Sequence, residues 1–290
     1  MSLTMQEEYL NPGHVGCPGC GATVAMKLAL RALGEKTMVV IPASCWAIIA
    51  SNYPQSALKV PVLNTAFATT GATCSGLRAA LDLRGDHETT ILGWAGDGGT
   101  FDIGFQALSA AAERGEDFIY VCYDNEAYMN TGVQRSSSTP WGASTMTTPG
   151  KEWKRTPKKN IVEIMAAHRI PYAATASIAW PEDLARKLQK ARSIRSGLRF
   201  IHLFSSCPTG WGHAPADTIK VARMAVRSRA FPLYEVEEGM RWTINSEDGH
   251  LPVREYLRMQ GRFRQLGEED IAYIQDFVDR EWERLRRRAE

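Results

Sequence analysis

The feature that most constrains the fold is a set of four short apolar segments, each followed at once by a polar or cysteine-bearing turn. The segments are rich in β-branched or aromatic residues and apolar almost throughout, which is typical of parallel strands buried on both faces. They occupy residues 37–41, 89–94, 118–123 and 200–204. The turns that follow them contain Ala43-Ser44-Cys45, Gly96-Asp97-Gly98-Gly99, Asp124-Asn125-Glu126 and Ser205-Ser206-Cys207.

Helical patterns lie between these segments, at residues 22–33, 76–83, 103–114 and 182–192. Strands that alternate with helices predict an α/β fold, a doubly wound, mostly parallel sheet with helices on both faces. Ligands of such sheets bind at the carboxyl ends of the strands, so we expect the four turns to meet at one edge. We assign residues 1–215 to this domain. Residues 216–290, rich in Arg and Glu, form a C-terminal extension that is either a subunit-contact arm or a solvated terminal helix.

Composition narrows the class of protein. The formal net charge of +2 gives no electrostatic case for binding nucleic acid or a membrane surface. No apolar run approaches the roughly 20 residues that span a bilayer. The polar, acidic start MSLTMQEEYLNPGH is not typical of a signal peptide, so we expect a cytoplasmic protein. Residues 124–160 lack periodicity, which indicates a long functional loop.

The spacing of Asp97 and Asn125 indicates a thiamine-diphosphate site. A diphosphate is bound with Mg²⁺, which prefers octahedral oxygen ligands at about 2.1 Å. Asp97 offers a carboxylate, Asn125 an amide oxygen and Ala127 a backbone carbonyl. Gly96 and Gly98 let the backbone approach the phosphates, near the amino end of the next helix, where anions are stabilised. A lone Gly-Asp-Gly is also an ordinary turn, but its position at a strand end favours the cofactor site.

The six cysteines fall into two groups. The run 17–20 (CPGC) is a metal-binding or redox pair, and the glycines around it expose amides that suit hydrogen bonds to cluster sulfides. Cys45 and Cys207 each follow a strand and can reach the same sheet edge. Together the four thiolates suffice for a 4Fe–4S cluster or a zinc site. The other two lie in apolar patterns typical of buried small hydrophobes: Cys74 and Cys122.

Six motifs also occur in the order of a known family: GCPGCG, PASCW, GWAGDGGTFDIGFQAL, DNEAYMNTGVQRSSSTPWGA, AAHRIPYAATAS and CPTGW. On these motifs, residues 11–235 resemble the β subunit of multi-subunit pyruvate:ferredoxin oxidoreductases. DNEAYMNTG and CPTGW are highly specific to that family. The resemblance implies a thiamine-diphosphate-binding fold. It also implies oxidative decarboxylation of a 2-oxoacid to acyl-coenzyme A and CO₂, with electrons passed to a 4Fe–4S cluster.

The resemblance implies a role for individual residues. It places one 4Fe–4S cluster on Cys17, Cys20, Cys45 and Cys207. It places Mg²⁺ on Asp97, Asn125 and the carbonyl of Ala127. Asn130 is implied to lie beside the thiazolium and substrate, as a catalytic residue that stabilises a developing oxyanion. The other residues implied to contact the cofactor are Ala43, Ser44, Cys45, Gly96, Gly98, Gly99 and Thr131.

The resemblance further implies that this chain holds only part of an active site. An α-type subunit supplies the Glu that activates the aminopyrimidine and the substrate-binding residues. A γ-type subunit, with a ferredoxin-like subunit or ferredoxin, completes the complex. Pyruvate is the expected substrate and coenzyme A the acyl acceptor. Phenylglyoxylate, a branched-chain 2-oxoacid and oxalate are alternatives, since Trp141 can line a different pocket.

Two other classes of protein explain part of the sequence. A thiamine enzyme of the decarboxylase or acetolactate-synthase type accounts for the spacing of Asp97 and Asn125. It does not need the four cysteines. A non-catalytic scaffold subunit with a zinc or iron–sulfur site accounts for the cysteines but not for that spacing.

Overall fold

A computed structural model describes residues 7–52, 54–247, 249 and 251–290. The first six residues, on which the prediction about a signal peptide partly rests, lie outside the described residues. Within these ranges, each helix is too short or too polar to cross a membrane.

The centre of the fold is an eight-stranded, mostly parallel sheet with the strand order β10-β9-β7-β8-β6-β5-β1-β4. Neighbouring strands from β7 to β4 run parallel, and the β9–β10 hairpin adds to β7 in antiparallel orientation. The strands are β1 (Thr37–Pro42), β2 (Ser51–Asn52), β3 (Gln55–Ser56), β4 (Val62–Thr65), β5 (Thr90–Gly96), β6 (Ile119–Asp124), β7 (Tyr172–Ser177), β8 (Arg199–Phe204), β9 (Tyr234–Glu237) and β10 (Arg241–Ile244). The predicted fold class is confirmed, and the four predicted strands are β1, β5, β6 and β8.

Helices cover both faces of this sheet. They are α1 (Gly21–Leu33), α2 (Cys45–Ile49), α3 (Thr70–Leu83), α4 (Phe105–Glu113), α5 (Ile161–Ala167), α6 (Pro181–Ser193), α7 (Pro208–Trp211), α8 (Thr218–Arg227), α9 (Val253–Leu257) and α10 (Glu268–Ala289). Helix α3 begins six residues before its predicted start because its first turn is built from small residues that carry no apolar periodicity. A Cβ at Gly71 would lie 2.8 Å from the carbonyl oxygen of Ala107, so α3 and α4 meet in close contact there.

The core lies on both sides of the sheet because alternate residues of a strand point to opposite faces. In β6, Val121 and Tyr123 pack into one core cluster, while Tyr120 and Cys122 pack into the other. All four side chains are buried. Cys74, on α3, lies in the same cluster as Cys122, which confirms that both are buried small hydrophobes.

The long loop between β6 and α5 is packed against the domain rather than extended from it. It contains a 3₁₀ turn at Gly150–Glu152 and is otherwise irregular. Lys154 is buried and donates hydrogen bonds from Nζ to the carbonyl oxygens of Thr139 (2.5 Å) and Pro157 (3.2 Å). From the other side, α9 and a 3₁₀ turn at Gly261–Phe263 approach this loop, so the C-terminal residues reach the carboxyl edge of the sheet.

Candidate functional site

A cavity of about 120 Å³ lies at the carboxyl ends of β1, β5 and β6. Every residue predicted to contact the cofactor lines it: Ala43, Ser44, Cys45, Gly96, Asp97, Gly98, Gly99, Asn125, Ala127, Asn130 and Thr131. The strand ends bring these residues together from three separate parts of the chain. Asn130 and Thr131 are exposed at the mouth of the cavity, whereas Asp97 and Asn125 are buried in its floor.

Three potential oxygen ligands converge in the cavity floor. One terminal atom of the Asn125 amide lies 3.0 Å from Asp97 Oδ1 and 3.0 Å from the carbonyl oxygen of Ala127. With the amide nitrogen at that position, Asn125 donates to both oxygens. With the amide oxygen there, three acceptors face one another, an arrangement that requires a cation between them. The donor set therefore fits a hard, oxygen-liganded cation such as Mg²⁺.

In the described part of the chain, no basic side chain forms an ion pair with Asp97. It is buried, and its Oδ2 accepts a hydrogen bond from Ser136 Oγ at 2.5 Å. Burial, together with the nearby charge of Asp124, raises the pKa of Asp97 well above its usual range. A carboxylate in this state gains from a bound cation.

Asp124, at the end of the neighbouring strand β6, has its own cation and hydrogen-bond donors. Its Oδ2 accepts hydrogen bonds from Lys158 Nζ (2.5 Å) and Ser138 Oγ (2.6 Å) and lies 2.6 Å from His202 Nε2. Burial alone would raise the pKa of Asp124, but the charge of Lys158 and the contact with His202 outweigh it and hold that pKa below its ordinary value. Asp124 is therefore a structural anion, distinct from Asp97, the predicted Mg²⁺ ligand.

The backbone after Asp97 forms a helical turn whose first residues, Gly98 and Gly99, line the cavity. A π-helical turn, Gly98–Ile103, begins directly at the cavity, so its first amide groups point to the place where anions are stabilised. The helical pattern predicted at residues 103–114 therefore begins earlier in the structure, at Gly98. A Cβ at Gly98 would lie 2.4 Å from the Tyr128 ring, so only glycine allows Tyr128 to pack there. The Tyr128 hydroxyl donates to Asp102 Oδ2 at 3.0 Å.

The four cysteines predicted to bind a cluster approach the same edge. The turn at residues 17–20 docks onto the segment after β8, where Thr218 Oγ1 donates to the carbonyl oxygen of Gly19 at 2.6 Å. The Gly21 amide donates to the carbonyl oxygen of Ser206 at 3.2 Å. Cys207 begins α7 and accepts a hydrogen bond from the Gly210 amide at Sγ, at 3.4 Å. Cys45 begins α2, beside the cavity.

Electrostatic interactions link these thiols. Burial raises the pKa of Cys45 to about 12, and the neighbouring thiolates of Cys207, Cys20 and Cys17 add to the effect. Burial likewise raises the pKa of Cys207 to about 11. In the described part of the chain, no three Cys, His, Asp or Glu side chains form a ready-made metal cage. The thiols are neighbours in one half-buried region, and Cys17 alone among the four is exposed.

Sequence reasoning missed three residues of the cavity wall, namely Phe67, Tyr128 and Met129. Phe67 and Tyr128 form an edge-to-face pair with ring centroids 5.8 Å apart. Met129 lies within van der Waals reach of Gly210, since a Cβ at Gly210 would be 2.2 Å from its sulfur. Met129 therefore lies between the cavity and the turn that carries Cys207. Tyr128 and Met129 belong to the motif DNEAYMNTG, but nothing in the sequence around Phe67 marks it.

Comparison with known proteins gives one family. The family "Thiamine pyrophosphate enzyme, C-terminal TPP binding domain" matches residues 42–203. The ketoisovalerate oxidoreductase subunit VorB of Pyrococcus furiosus is 51% identical over 98% of this chain and 94% of its own length. The pyruvate synthase subunit PorB of Methanothermobacter marburgensis is 50% identical over 97% of this chain and 98% of its own length.

A solved structure supports the fold. The 2-oxoglutarate:ferredoxin oxidoreductase from Magnetococcus marinus, solved with 2-oxoglutarate, coenzyme A and succinyl-CoA bound, matches with a TM-score of 0.61. The match covers 71% of this chain and 69% of that chain at 24% identity.

Proposed function

The chain belongs to the thiamine-diphosphate-dependent 2-oxoacid:ferredoxin oxidoreductases, as one subunit of a multi-subunit enzyme, and we propose that it carries thiamine diphosphate, Mg²⁺ and one 4Fe–4S cluster. In this proposal the complex converts a 2-oxoacid and coenzyme A into acyl-coenzyme A and CO₂. The observation that carries it is the convergence of Asp97, Asn125 and Ala127 in a cavity that also contains Cys45.

The residues in the cavity floor suit Mg²⁺ and a diphosphate. Asp97, Asn125 and the Ala127 carbonyl would hold the cation, and the start of the π-helical turn, with Gly98 and Gly99, would bind the diphosphate oxygens. Thiamine diphosphate supplies the nucleophilic carbon and the electron sink for decarboxylation. The exposed amide of Asn130, at the mouth of the cavity, would donate a hydrogen bond to a substrate oxygen.

The cysteines suit an iron–sulfur cluster better than a disulfide or an isolated redox pair. All six cysteines are free thiols, and the four in question come from three separate parts of the chain that meet at one edge. Buried thiols with raised pKa values ionise when cations are bound to them. Cys17, Cys20, Cys45 and Cys207 would thus hold a cluster next to the thiamine cavity. The many free thiols also fit the reducing cytoplasm, where we place the protein.

The cavity on this chain is incomplete for the whole cofactor. Its volume of about 120 Å³ is below the roughly 300 Å³ of small-molecule pockets. Among its described lining residues, Asp97 is the one carboxylate, and it faces the proposed Mg²⁺ site rather than an aminopyrimidine ring. We therefore assign the activating Glu and the substrate-binding groups to an α-type subunit. A γ-type subunit, with a ferredoxin-like subunit or ferredoxin, completes the complex and receives the electrons.

We propose pyruvate as the substrate, with the branched-chain 2-oxoacid ketoisovalerate as the second candidate. The second candidate is kept because the chain is as similar to a ketoisovalerate oxidoreductase subunit (51% identity) as to a pyruvate synthase subunit (50% identity). A viologen-reduction assay of the purified complex, with pyruvate, ketoisovalerate, phenylglyoxylate and oxalate, separates them. Omission of coenzyme A should abolish turnover. Turnover of none of these acids would contradict the proposal.

The ligand assignment is tested by two cysteine variants of the complex. Cys45→Ala should lose the iron and the absorption of the cluster near 400 nm while thiamine diphosphate still binds at least in part. Cys74→Ala is the matched control, because Cys74 is fully buried in α3 away from the cavity. It should retain its iron. Equal iron content in the two variants would refute the assignment, and zinc in place of iron would favour the scaffold alternative.

A further inference from the structure

The residue between the two proposed Mg²⁺ ligands Asn125 and Ala127 has an unusual backbone conformation. Glu126 lies between Asn125 and Ala127, and its φ is +64°. A left-handed conformation is unfavourable for a residue other than glycine and persists only where the surroundings fix it. Here it reverses the chain so that the Asn125 side chain and the Ala127 carbonyl lie 3.0 Å apart.

Every polar group of Glu126 is held by a partner. Its amide donates to Asp124 Oδ1 at 2.8 Å, and its carbonyl oxygen accepts from Thr139 Oγ1 at 2.7 Å. Its carboxylate accepts from Lys158 Nζ at 2.9 Å and from Arg262 at 2.5 Å. The residue is only 5% exposed, so these bonds form out of bulk water. The strained turn is thus fixed at backbone and side chain alike.

Arg262 comes from the far end of the chain and is built into this site. Its guanidinium lies 3.8 Å from the centroid of the Trp211 ring, and its Nε donates to Gln260 Oε1 at 2.9 Å. The Trp211 indole in turn donates to the backbone carbonyl oxygen of Asn125 at 2.7 Å. Arg262 therefore contacts Glu126 directly and supports Asn125 through the Trp211 ring.

We propose that Arg262 is a positioning residue for the Mg²⁺ ligands, so that the C-terminal segment sets the geometry of the cofactor site. This inference rests on the proposed function, since it takes Asn125 and Ala127 as the ligands. Arg262 does not touch the cation. It holds Glu126 in the conformation that directs the amide of Asn125 and the carbonyl of Ala127 to one point.

This role predicts a change in metal preference as well as in affinity. Mg²⁺ requires nearly ideal octahedral geometry, whereas Ca²⁺ accepts irregular and longer coordination. Groups that orient metal ligands typically change metal affinity by about 10–100-fold when they are replaced. A relaxed turn should therefore weaken Mg²⁺ binding more than Ca²⁺ binding. A general loss of stability would weaken both alike.

The test measures thiamine diphosphate binding to the metal-stripped, purified complex as Mg²⁺ or Ca²⁺ is titrated in. For Arg262→Met, the Mg²⁺ concentration at half-saturation should rise about tenfold or more, and that for Ca²⁺ by less than about threefold. Arg262→Lys keeps the charge but loses the planar fork and the stacking, so it should fall in between. Arg254→Met is the matched control, because Arg254 pairs with Glu268 in the same segment at the surface. It should match the wild type.

Should Arg262→Met fail to assemble, Arg262→Lys and Glu126→Gln provide the same test, in which the shift in half-saturating Mg²⁺ concentration is compared with the shift for Ca²⁺. Glu126→Gln keeps the size of the side chain and weakens its ion pairs with Lys158 and Arg262. Equal shifts for both metals, or no shift, in these variants would overturn the inference while leaving the proposed function intact. Failure of the wild-type complex to bind thiamine diphosphate in a metal-dependent manner would instead overturn the proposed function.

Discussion

Lys158 forms ion pairs with two buried carboxylates beside the proposed Mg²⁺ site, those of Asp124 and Glu126. Its replacement by Met tests how much these ion pairs contribute to the stability of the fold. Its Nζ lies 2.5 Å from Asp124 Oδ2 and 2.9 Å from Glu126 Oε1. Burial alone would lower the pKa of Lys158, but the charges of Asp124 and Glu126 outweigh it and raise that pKa. The ammonium group is therefore charged at every pH at which the protein is handled.

The magnitude follows from the burial of the partners. Asp124 is 0% exposed and the Lys158 side chain 20% exposed. Removal of one partner from a buried ion pair costs about 3–5 kcal/mol because an uncompensated charge remains. The partial exposure of Lys158 puts our expectation at the lower end, about 3 kcal/mol. At roughly 2–4 °C per kcal/mol, the unfolding midpoint should fall by about 6–12 °C.

The assay is thermal and urea unfolding of wild type, Lys158→Met and a surface control, Lys27→Met. Lys27 pairs with Glu8 at 3.3 Å and is 45% exposed, so its loss should cost less than about 1 kcal/mol. The reasoning would be refuted if, at pH 8, Lys158→Met lost no more unfolding free energy relative to the wild type than Lys27→Met does.

The pH dependence gives a second signature of the same variant. Burial lowers the pKa of His202, the charge of Lys158 lowers it further, and Asp124 raises it. Without Lys158 we expect the folded-state pKa of His202 to rise from its lowered value. A lowered histidine pKa costs the folded state stability below the unfolded value of about 6.5, and that cost decreases as the folded-state pKa rises. The loss of unfolding free energy in Lys158→Met, relative to the wild type, should therefore be smaller at pH 6 than at pH 8. An equal loss at both pH values would contradict this account.

Two further predictions concern other parts of the chain. Burial lowers the pKa of Lys187 from 10.5 to about 8. The cost in folding free energy of keeping the buried ammonium charged is therefore full below pH 8 and vanishes above pH 10.5. From pH 8 to pH 10.5, the free energy of unfolding of the wild type, measured in urea, should rise by up to about 3 kcal/mol relative to that of Lys187→Met. If the unfolding free energies of the two proteins change with pH in parallel, this prediction is wrong. Gly19→Ala should lose cluster iron, because φ is +69° and the new Cβ would lie 2.4 Å from the Pro215 carbonyl oxygen. Gly13→Ala, with φ +82° and nothing within 4 Å, should keep its iron, and equal iron in both would rule out the clash.

The predicted part of the fold is the part that local pattern encodes. Strands β1, β5, β6 and β8 read as near-continuous apolar runs because both of their faces are buried. The unpredicted strands lack that signal for separate reasons. Val62–Thr65 is a half-exposed edge strand, and Tyr172–Ser177 is built largely from alanine, serine and threonine. Arg241–Ile244 lies in a charged segment and is only partly buried.

The same distinction separates the predicted and unpredicted parts of the site. Asp97 and Asn125 could be placed together because parallel strands end at one edge, so each residue needed only its own strand to be located. Arg262 and Glu126 are 136 residues apart and meet through the packing of an irregular C-terminal segment onto an irregular loop. No period or motif specifies that contact, and the composition of the segment suggested a subunit-contact arm or a solvated terminal helix.

The distribution of charge at the carboxyl edge leaves one carboxylate, that of Asp97, for the proposed Mg²⁺. Three acidic side chains, those of Asp97, Asp124 and Glu126, are buried close together. Lys158 is committed to Asp124 and Glu126, and Arg262 to Glu126. These two cations balance the two structural anions, whereas Asp97 keeps a raised pKa and accepts a hydrogen bond from the Ser136 hydroxyl. Because the local cations are already paired, an external cation gains its full interaction with Asp97 without displacing an existing ion pair. The charges that hold the turn at Glu126 are thus separate from the charge that would bind the proposed Mg²⁺.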